Sequence, residues 1–306
     1  MSRFIRFQRT RVTAMRPAAF RRTVVEGDRA EVCGMSAMRQ LLWAARHVGR
    51  GLFHALAELG QARMSPVRSP REAAERLSAA LAAIARAHDL EVSVRGELPR
   101  GPALIVANHV SYLDPIAILS RCPAIPIAKG DVAGWPIIGT AARDLGVVFV
   151  RREIPMERVR TLRRIHALLA GGVAVLNFPE GTTTRGAHVA PFWRGAFGIA
   201  QRLGVPVIPV ALRYREPELA WYGRATFLPH YWRTVRRRRL EVALRVGAAM
   251  HPRTGEPPES MAARARGTIS YMLETLTWNP RCIDAGTSVR VSSSRPDPVL
   301  PARDVA

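Results

Sequence analysis

The sequence predicts an α/β protein: a single domain with a largely parallel mixed sheet flanked by helices, preceded by an N-terminal amphipathic helix pair. From residue 90 onward, short apolar runs alternate with segments whose apolar residues recur at helical spacing. This alternation is typical of parallel sheets, because a crossover helix must return the chain before the next parallel strand can start. The chain has 306 residues and 48% hydrophobic content, enough for one large core or two small ones.

The N-terminal part predicts a leader followed by two helices. Residues 1–35 are rich in arginine and lack a continuous apolar core, so we expect a basic, disordered leader and not a secretory signal. Residues 38–60 place leucines on one helical face, while arginines and histidines lie largely elsewhere. Ser69 and Pro70 predict the N-cap and first residue of a second helix, so that residues 36–89 form a two-helix segment.

Two questions stay open for this segment. A basic amphipathic helix suits the surface of an anionic bilayer, but such a helix also commonly packs on the core of its own protein. The true start of translation is equally open, with Met1, Met35 and Met38 as candidates.

The remaining elements follow in order along residues 90–280. The predicted strands are LEVSVRG, ALIVA, AIPIAK, VVFVRR, VAVLNFPEG, VPVIPVALRY and RLEVALRVGAAM, the last as a strand pair or one bent strand. The predicted helices are PIAILSRC, WPIIGTAARDLG, MERVRTLRRIHALLAGG, PFWRGAFGIAQRLG and PESMAARARGTISYMLETL. Residues 281–306 are rich in serine and proline, which predicts a disordered tail.

Charge and cysteine content narrow the class of partner. The formal net charge of +22 favours anionic partners: nucleic acid, phospholipid head groups or phosphorylated substrates. Cys33, Cys122 and Cys282 lie far apart, so neither a disulfide framework nor a zinc site is expected, and a reducing compartment suits them. No apolar run reaches the ~18 residues that a membrane-spanning helix needs.

The stretch NHVSYLDP, which follows an apolar strand, contains His109 and Asp114. The two would lie roughly 140° apart on an ideal helix, but a strand end, a turn and a helix start can bring them together. A neutral imidazole accepts a proton near pH 7, and a carboxylate fixes its tautomer. Because no G-x-S-x-G motif or nearby cysteine offers a nucleophile, such a base would activate a hydroxyl of the substrate. The alternative is structural, with Asp114 as the N-cap of a helix.

Two further stretches also end strands. GVVFVRR closes with Arg151 and Arg152, which can clamp a phosphate or carboxylate or form a solvated strand end. NFPEGTTTRG places Glu180 at the carboxyl end of a strand, where open α/β sheets hold ligands, although a surface loop is also possible. Lys129 is the only lysine of the chain. Either a compact point charge is needed beside a site at this position, or one surface lysine is present by chance.

The ordered blocks NHVSYLD, GVVFVRR, FPEGT and VPVIPV resemble the four motifs of the glycerolipid acyltransferase family, the 1-acyl-glycerol-3-phosphate acyltransferases and their relatives. The resemblance covers about residues 90–250. It implies an α/β fold and transfer of a fatty acyl group from an acyl-CoA or acyl-carrier-protein thioester to a lysolipid hydroxyl. No cofactor beyond this co-substrate and no metal is expected.

The resemblance also implies roles for single residues. His109 corresponds to the general base and Asp114 to its partner. The family uses the second and third blocks together to hold the polar head of the acceptor, and a basic position often precedes the second block. The residues expected to bind substrate are therefore Gly146, Phe149, Arg152, Glu180, Gly181, Thr182 and Lys129.

One departure concerns the acceptor. Many phosphatidate-forming members have FPEGTR, whereas this chain has Thr183 after Thr182 and its first arginine at Arg185. We predict 1-acyl-sn-glycerol-3-phosphate as acceptor, giving phosphatidic acid in phospholipid biosynthesis, with lyso-ornithine lipid as the alternative. A basic nucleic-acid-binding protein, an inactive lipid-binding relative and a thioester hydrolase are the more distant alternatives.

Both substrates are amphiphiles, so the expected partners include an anionic membrane surface, and no specific nucleic acid. We expect a peripheral or monotopic protein on the cytoplasmic face of the inner membrane. The helix at 38–60 would be its apolar anchor, and Arg233 with residues 236–239 would contact anionic lipids.

Overall fold

A mixed sheet of seven strands forms the centre of the part of the chain that the computed structural model describes, residues 37–135, 137–151 and 153–276. The strands are β1 (Leu90–Arg95), β2 (Leu104–Ala107), β3 (Ile125–Lys129), β4 (Val148–Val150), β5 (Val175–Asn177), β6 (Val207–Tyr214) and β7 (Leu240–Val246). Their spatial order is β1-β7-β6-β2-β5-β3-β4. The leader and the tail predicted at 1–35 and 281–306 lie outside the described residues.

The central part of the sheet is parallel. β6, β2, β5, β3 and β4 all run in one direction, whereas β7 pairs antiparallel with β6 and parallel with β1. The predicted fold class, a largely parallel mixed sheet flanked by helices, is therefore confirmed. The consequence for function is that the carboxyl ends of five neighbouring strands share one edge. Side chains that follow these strands are brought together even when they are far apart in the sequence.

Helices surround this sheet and connect its strands. They are α1 (Ala37–Met64), α2 (Pro70–Ala87), α3 (Asp114–Leu119), α4 (Ile138–Asp144), α5 (Pro155–Ala170), α6 (Gly195–Leu203), α7 (Phe227–Val235) and α8 (Pro258–Thr275). Ser69 caps α2 as predicted, because its side chain accepts the Glu72 N–H and Pro70 follows it. α7 was not expected from the sequence. Within the described residues, no helix combines the length and hydropathy needed to cross a bilayer.

α1 turns its apolar residues outward. Exposed fractions are 48% for Leu41, 62% for Leu42 and 66% for Phe53, and Leu52 and Leu56 are exposed as well. The opposite side of the helix holds Ala44 and His47, which are 0% and 2% exposed, and Gly51, where an added Cβ would lie 2.6 Å from His88. The alternative prediction, that the apolar face of this helix packs on the core of its own protein, is therefore wrong. Small and polar residues make the contact instead.

A buried histidine pair holds α1 to the domain. His47 contacts the Trp43 carbonyl through Nδ1 at 2.8 Å and the Asp89 carboxylate through Nε2 at 2.9 Å. His88 lies against the Ile84 carbonyl through Nδ1 at 2.9 Å, and its Nε2 is 2.8 Å from the Tyr231 hydroxyl. Donation from Nδ1 and acceptance at Nε2 satisfy a neutral His88 ring.

The pKa of His88 is lowered, first by burial and further by the nearby His47 and Arg50, against the opposing effects of the Ile84 carbonyl and Asp89. The unfolded chain, which titrates near 6.5 at this residue, then binds the proton better than the folded protein. The stability contributed by neutral His88 is therefore fully present above pH 6.5 and is lost as the pH falls through the lowered pKa.

We expect the free energy of unfolding to fall as the pH is lowered from about 7.5 to about 5.5, and to fall less in the His88→Gln variant. Denaturant titrations across this range measure both slopes. The exposed His251 provides the matched variant, His251→Gln, which should follow the wild-type curve. A His88→Gln curve parallel to that of the wild type would contradict the argument.

Candidate active site

Three neighbouring strands of the parallel region end at the same place. β2 runs into Asn108 and His109, β5 runs into Phe178 and Glu180, and β6 ends at Tyr214. Asn108 is 2% exposed and fixes this edge, since its side-chain amide donates to the Leu212 carbonyl at 3.0 Å and its oxygen accepts the Leu212 N–H at 2.8 Å. The amide thereby continues the β2–β6 ladder by one residue beyond the strand.

His109 and Asp114 form a hydrogen-bonded pair at this edge. His109 Nδ1 lies 2.7 Å from Asp114 Oδ2. The same oxygen accepts the backbone N–H groups of Val110 at 2.6 Å and Ser111 at 2.9 Å. Asp114 is 0% exposed, so donors of the protein take the place of water around its carboxylate.

Asp114 does not cap α3, and the structural alternative drawn from the sequence is wrong in this respect. The N-cap position belongs to Leu113, and no side-chain capping bond is present there. Asp114 is the first residue of the helix, and its carboxylate points back to the loop that precedes it. This geometry uses the carboxylate to shape the His109 loop and to contact the imidazole.

The imidazole of His109 is held on a second side by an aromatic ring. It stacks on Phe178 with a centroid distance of 4.1 Å and an interplanar angle of 18°. Its side chain keeps 21% exposure, whereas Phe178 is buried. Because Nδ1–H donates to Asp114, the neutral ring has its lone pair on Nε2. A partly exposed imidazole with a free lone pair on Nε2 and a carboxylate at Nδ1 is the arrangement required of a general base.

Glu180 fixes the backbone around this histidine. Its Oε1 accepts the His109 N–H at 2.7 Å and its Oε2 accepts the Ala190 N–H at 2.8 Å. Thr184 completes the clamp, because both its N–H (2.8 Å) and its hydroxyl (3.2 Å) donate to the His109 carbonyl. Burial raises the pKa of Glu180, and the two amide hydrogen bonds oppose that shift. The predicted contact of Glu180 with an acceptor head group stays a prediction, since both oxygens face amides of the protein.

The other predicted binding residues lie along the same motifs. Gly181 has φ +84° in the turn after Glu180, and Gly146 has φ +76° just before β4, which are conformations that favour glycine. Thr182 is exposed and Phe149 is half-buried in β4. Arg152 lies outside the described residues.

The basic residues nearest the ends of β3 and β4 are paired with acids. Lys129 is 68% exposed and contacts Asp131 at 2.5 Å. Arg151 donates to Glu157, with 3.0 Å from Nε to Oε2. Lys129 lies opposite Val150 in the β3–β4 register, so both cations stand at one end of these strands. The contact of Lys129 with a substrate stays a prediction.

Comparison with known proteins agrees with this architecture. The Acyltransferase family model matches residues 89–213. The lyso-ornithine lipid O-acyltransferase of Rhizobium meliloti is 33% identical over 232 residues, covering 68% of this chain and 78% of that protein. The lyso-ornithine lipid O-acyltransferase of Pseudomonas aeruginosa is 35% identical over 198 residues, covering 63% and 76%. The 1-acyl-sn-glycerol-3-phosphate acyltransferase of Neisseria gonorrhoeae is 32% identical over 165 residues, covering 50% and 63%.

The chain therefore belongs to the acyltransferase family and is an O-acyltransferase of the group that acts on lysolipids. The crystal structure of the 1-acyl-sn-glycerophosphate acyltransferase PlsC from Thermotoga maritima has the same fold, with a TM-score of 0.60. It is 23% identical and the match covers 80% of this chain and 100% of that one.

Proposed function

We propose that this enzyme transfers a fatty acyl group from an acyl-CoA or acyl-carrier-protein thioester to the free hydroxyl of a lysolipid, with His109 as the general base. The observation that carries the proposal is the 2.7 Å contact between His109 Nδ1 and Asp114, which leaves Nε2 as the proton acceptor at a partly exposed position. Asp114 is the buried group that can stabilise the imidazolium as it forms.

The proposed reaction is a direct transfer. Nε2 of His109 removes the proton of the acceptor hydroxyl while its oxygen attacks the thioester carbonyl, and the electrons of the C=O bond move to the oxygen. Collapse of this tetrahedral intermediate forms the ester and expels the thiolate. The thiolate takes the proton from the imidazolium, which returns the neutral His109 and releases a thiol.

For the acceptor, we propose lyso-ornithine lipid, with 1-acyl-sn-glycerol-3-phosphate as the second candidate. The sequence relatives favour the reverse of the order that the motifs alone favoured. The two lyso-ornithine lipid O-acyltransferases align over 68% and 63% of this chain, whereas the 1-acyl-sn-glycerol-3-phosphate acyltransferase of Neisseria gonorrhoeae aligns over 50%. Thr183 supports this order, since it stands where phosphatidate-forming members have an arginine. The first arginine of the segment, Arg185, instead lies over the ring of Tyr222, with 5.0 Å between the guanidinium carbon and the ring centroid.

The test is thiol release from a long-chain acyl-CoA, repeated with an acylated carrier protein as donor. Lyso-ornithine lipid, 1-acyl-sn-glycerol-3-phosphate and a neutral lysophospholipid are supplied in turn, with the His109→Ala variant in parallel. We expect release that requires both an acceptor and His109, fastest with lyso-ornithine lipid. A preference for 1-acyl-sn-glycerol-3-phosphate would assign the second candidate. Release at the same rate without any acceptor would contradict transfer and indicate a hydrolase.

We also propose that the enzyme works as a peripheral or monotopic protein on the cytoplasmic face of the inner membrane. The support is α1, whose apolar side chains are exposed while the side of the helix with Ala44 and His47 is buried. Of the arginines expected to contact anionic lipids, Arg237 lies 3.7 Å from Glu218 and Arg239 lies 2.5 Å from Glu91. These ion pairs weaken the case for both residues, so α1 carries the proposal.

A further inference from the structure

Tyr214 is a fourth residue that hydrogen-bonds to the Asp114 carboxylate, after His109, Val110 and Ser111. It lies outside the four sequence motifs. It is the last residue of β6 and is 7% exposed. Its hydroxyl donates to Asp114 Oδ1 at 2.7 Å. The two residues lie 100 positions apart in the chain and meet because β6 is the direct neighbour of β2 in the sheet.

The two oxygens of Asp114 have different partners. Oδ2 receives the imidazole of His109 and the N–H groups of Val110 and Ser111. Among the described residues, the hydrogen bond to Oδ1 comes from Tyr214. Since Asp114 is fully buried, water cannot replace this donor without a change in the structure.

Tyr214 remains a donor at any working pH. Burial raises the pKa of its phenol well above the ordinary value, and the negative charge of Asp114 raises it further. Burial also raises the pKa of Tyr112, which lies in the NHVSYLD motif, but the partners of its hydroxyl are different: it donates to the Thr234 hydroxyl at 3.1 Å and lies 3.3 Å from His230 Nδ1.

We propose that Tyr214 is a positioning residue that fixes the Asp114 carboxylate and sets how strongly it holds the protonated His109. The inference rests on the proposed role of His109 as general base. A hydroxyl donated to Oδ1 withdraws negative charge from the carboxylate and locks its rotation, so that Oδ2 stays aimed at Nδ1. Tyr214 acts through Asp114 and does not need to touch the substrate.

The charge on Asp114 determines the direction in which the acidic limb of the kcat/KM profile moves. Without the hydroxyl, negative charge concentrates on a buried carboxylate that has lost one donor, and the imidazolium beside it is held more strongly. The base is then protonated up to a higher pH. The acidic limb of the kcat/KM profile therefore moves to higher pH when the hydroxyl is removed.

The Tyr214→Phe variant tests this. We expect kcat at neutral pH to fall about 10-fold with little change in KM for the acceptor, as for the loss of a hydrogen bond to a charged group. The acidic limb of the kcat/KM profile should move to higher pH. Tyr112→Phe is the matched control, since it removes the hydroxyl of a half-buried tyrosine that contacts Thr234 and His230 and not Asp114, and it should keep the wild-type acidic limb.

Incorporation of 3-fluorotyrosine at position 214 is the second variant, and it keeps the proposal testable if Tyr214→Phe does not fold. Fluorine makes the phenol a stronger donor at almost the same size, so the acidic limb should move to lower pH. The inference would be overturned if the acidic limb of the kcat/KM profile lay at the wild-type pH in both Tyr214 variants. It would also be overturned if Tyr112→Phe moved this limb as far as Tyr214→Phe does. If His109→Ala keeps full transfer, it is the general-base proposal that fails. If His109→Ala is inactive while both Tyr214 variants have wild-type limbs, the inference alone fails.

Discussion

The His109→Ala variant should lose about 10²–10⁴-fold in kcat for acyl transfer, the range that general-base catalysis contributes. The fold should persist, because Asp114 keeps the N–H groups of Val110 and Ser111 on Oδ2 and the Tyr214 hydroxyl on Oδ1. The clamp on the backbone of residue 109 is also independent of the imidazole, since Glu180 and Thr184 bind its N–H and carbonyl. Thiol release with saturating acceptor measures kcat, and thermal unfolding measures the fold.

The matched control for this experiment is His251→Ala, a histidine on the exposed surface. It should retain wild-type kcat. Transfer by His109→Ala within a few-fold of the wild-type rate, in a protein that unfolds at the wild-type temperature, would mean that another group removes the proton. A loss of transfer together with a large loss of stability would call instead for His109→Gln, which keeps a polar side chain of similar reach.

The sequence was sufficient to predict the pair at the end of β2, since His109 and Asp114 lie within one strand–turn–helix unit. It could not predict what surrounds the pair. Tyr214 belongs to a strand that follows much later in the chain, and its contact depends on the order β6-β2-β5, in which neighbours in space are not neighbours in sequence. Short motifs describe local backbone, whereas the donors to a buried carboxylate come from several strands.

Glu180 is a second residue whose contacts the local sequence did not predict. Its motif and its place after β5 predicted a contact with the substrate, but its buried carboxylate joins two backbone amides, His109 N–H and Ala190 N–H. A charged residue after a strand can face a ligand or hold the loop that presents another residue. The choice depends on where the neighbouring loops place their unpaired N–H groups, which local sequence does not determine.

The helical patterns likewise predicted that a helix forms, but not which other residues it packs against. The spacing of leucines predicted α1, yet periodicity cannot say which face is covered, and the covered face is the one with Ala44 and His47. His47 is satisfied there by Asp89, a tertiary partner 42 residues away. No helix was predicted over α7, which contains Pro229 in its first turn, where a proline removes no helical hydrogen bond.

The double variant Leu42→Ser, Phe53→Ser should bind vesicles about 10²-fold more weakly than the wild type. Both side chains lie on the exposed apolar face of α1, with 62% and 66% of their surface in water, and together they would enter the acyl region of a bilayer. Full burial of a leucine or phenylalanine side chain is worth about 1.5–3 kcal/mol, and about two thirds of each side chain is still in water, so the loss of two decreases partitioning by about this factor. Co-sedimentation with vesicles that contain anionic phospholipid measures it.

Tyr271→Ser is the matched control, because Tyr271 is 63% exposed on α8 and its removal should leave vesicle binding unchanged. Since the two α1 side chains are exposed in the folded protein, the double variant should also keep its unfolding temperature and its kcat with an acceptor dispersed in detergent micelles. Equal vesicle binding by the double variant and the wild type would exclude this face of α1 as the membrane contact. A loss that appears only with vesicle-borne acceptor would separate the membrane step from the proton transfer at His109, since the first depends on apolar area and the second on the contact with Asp114.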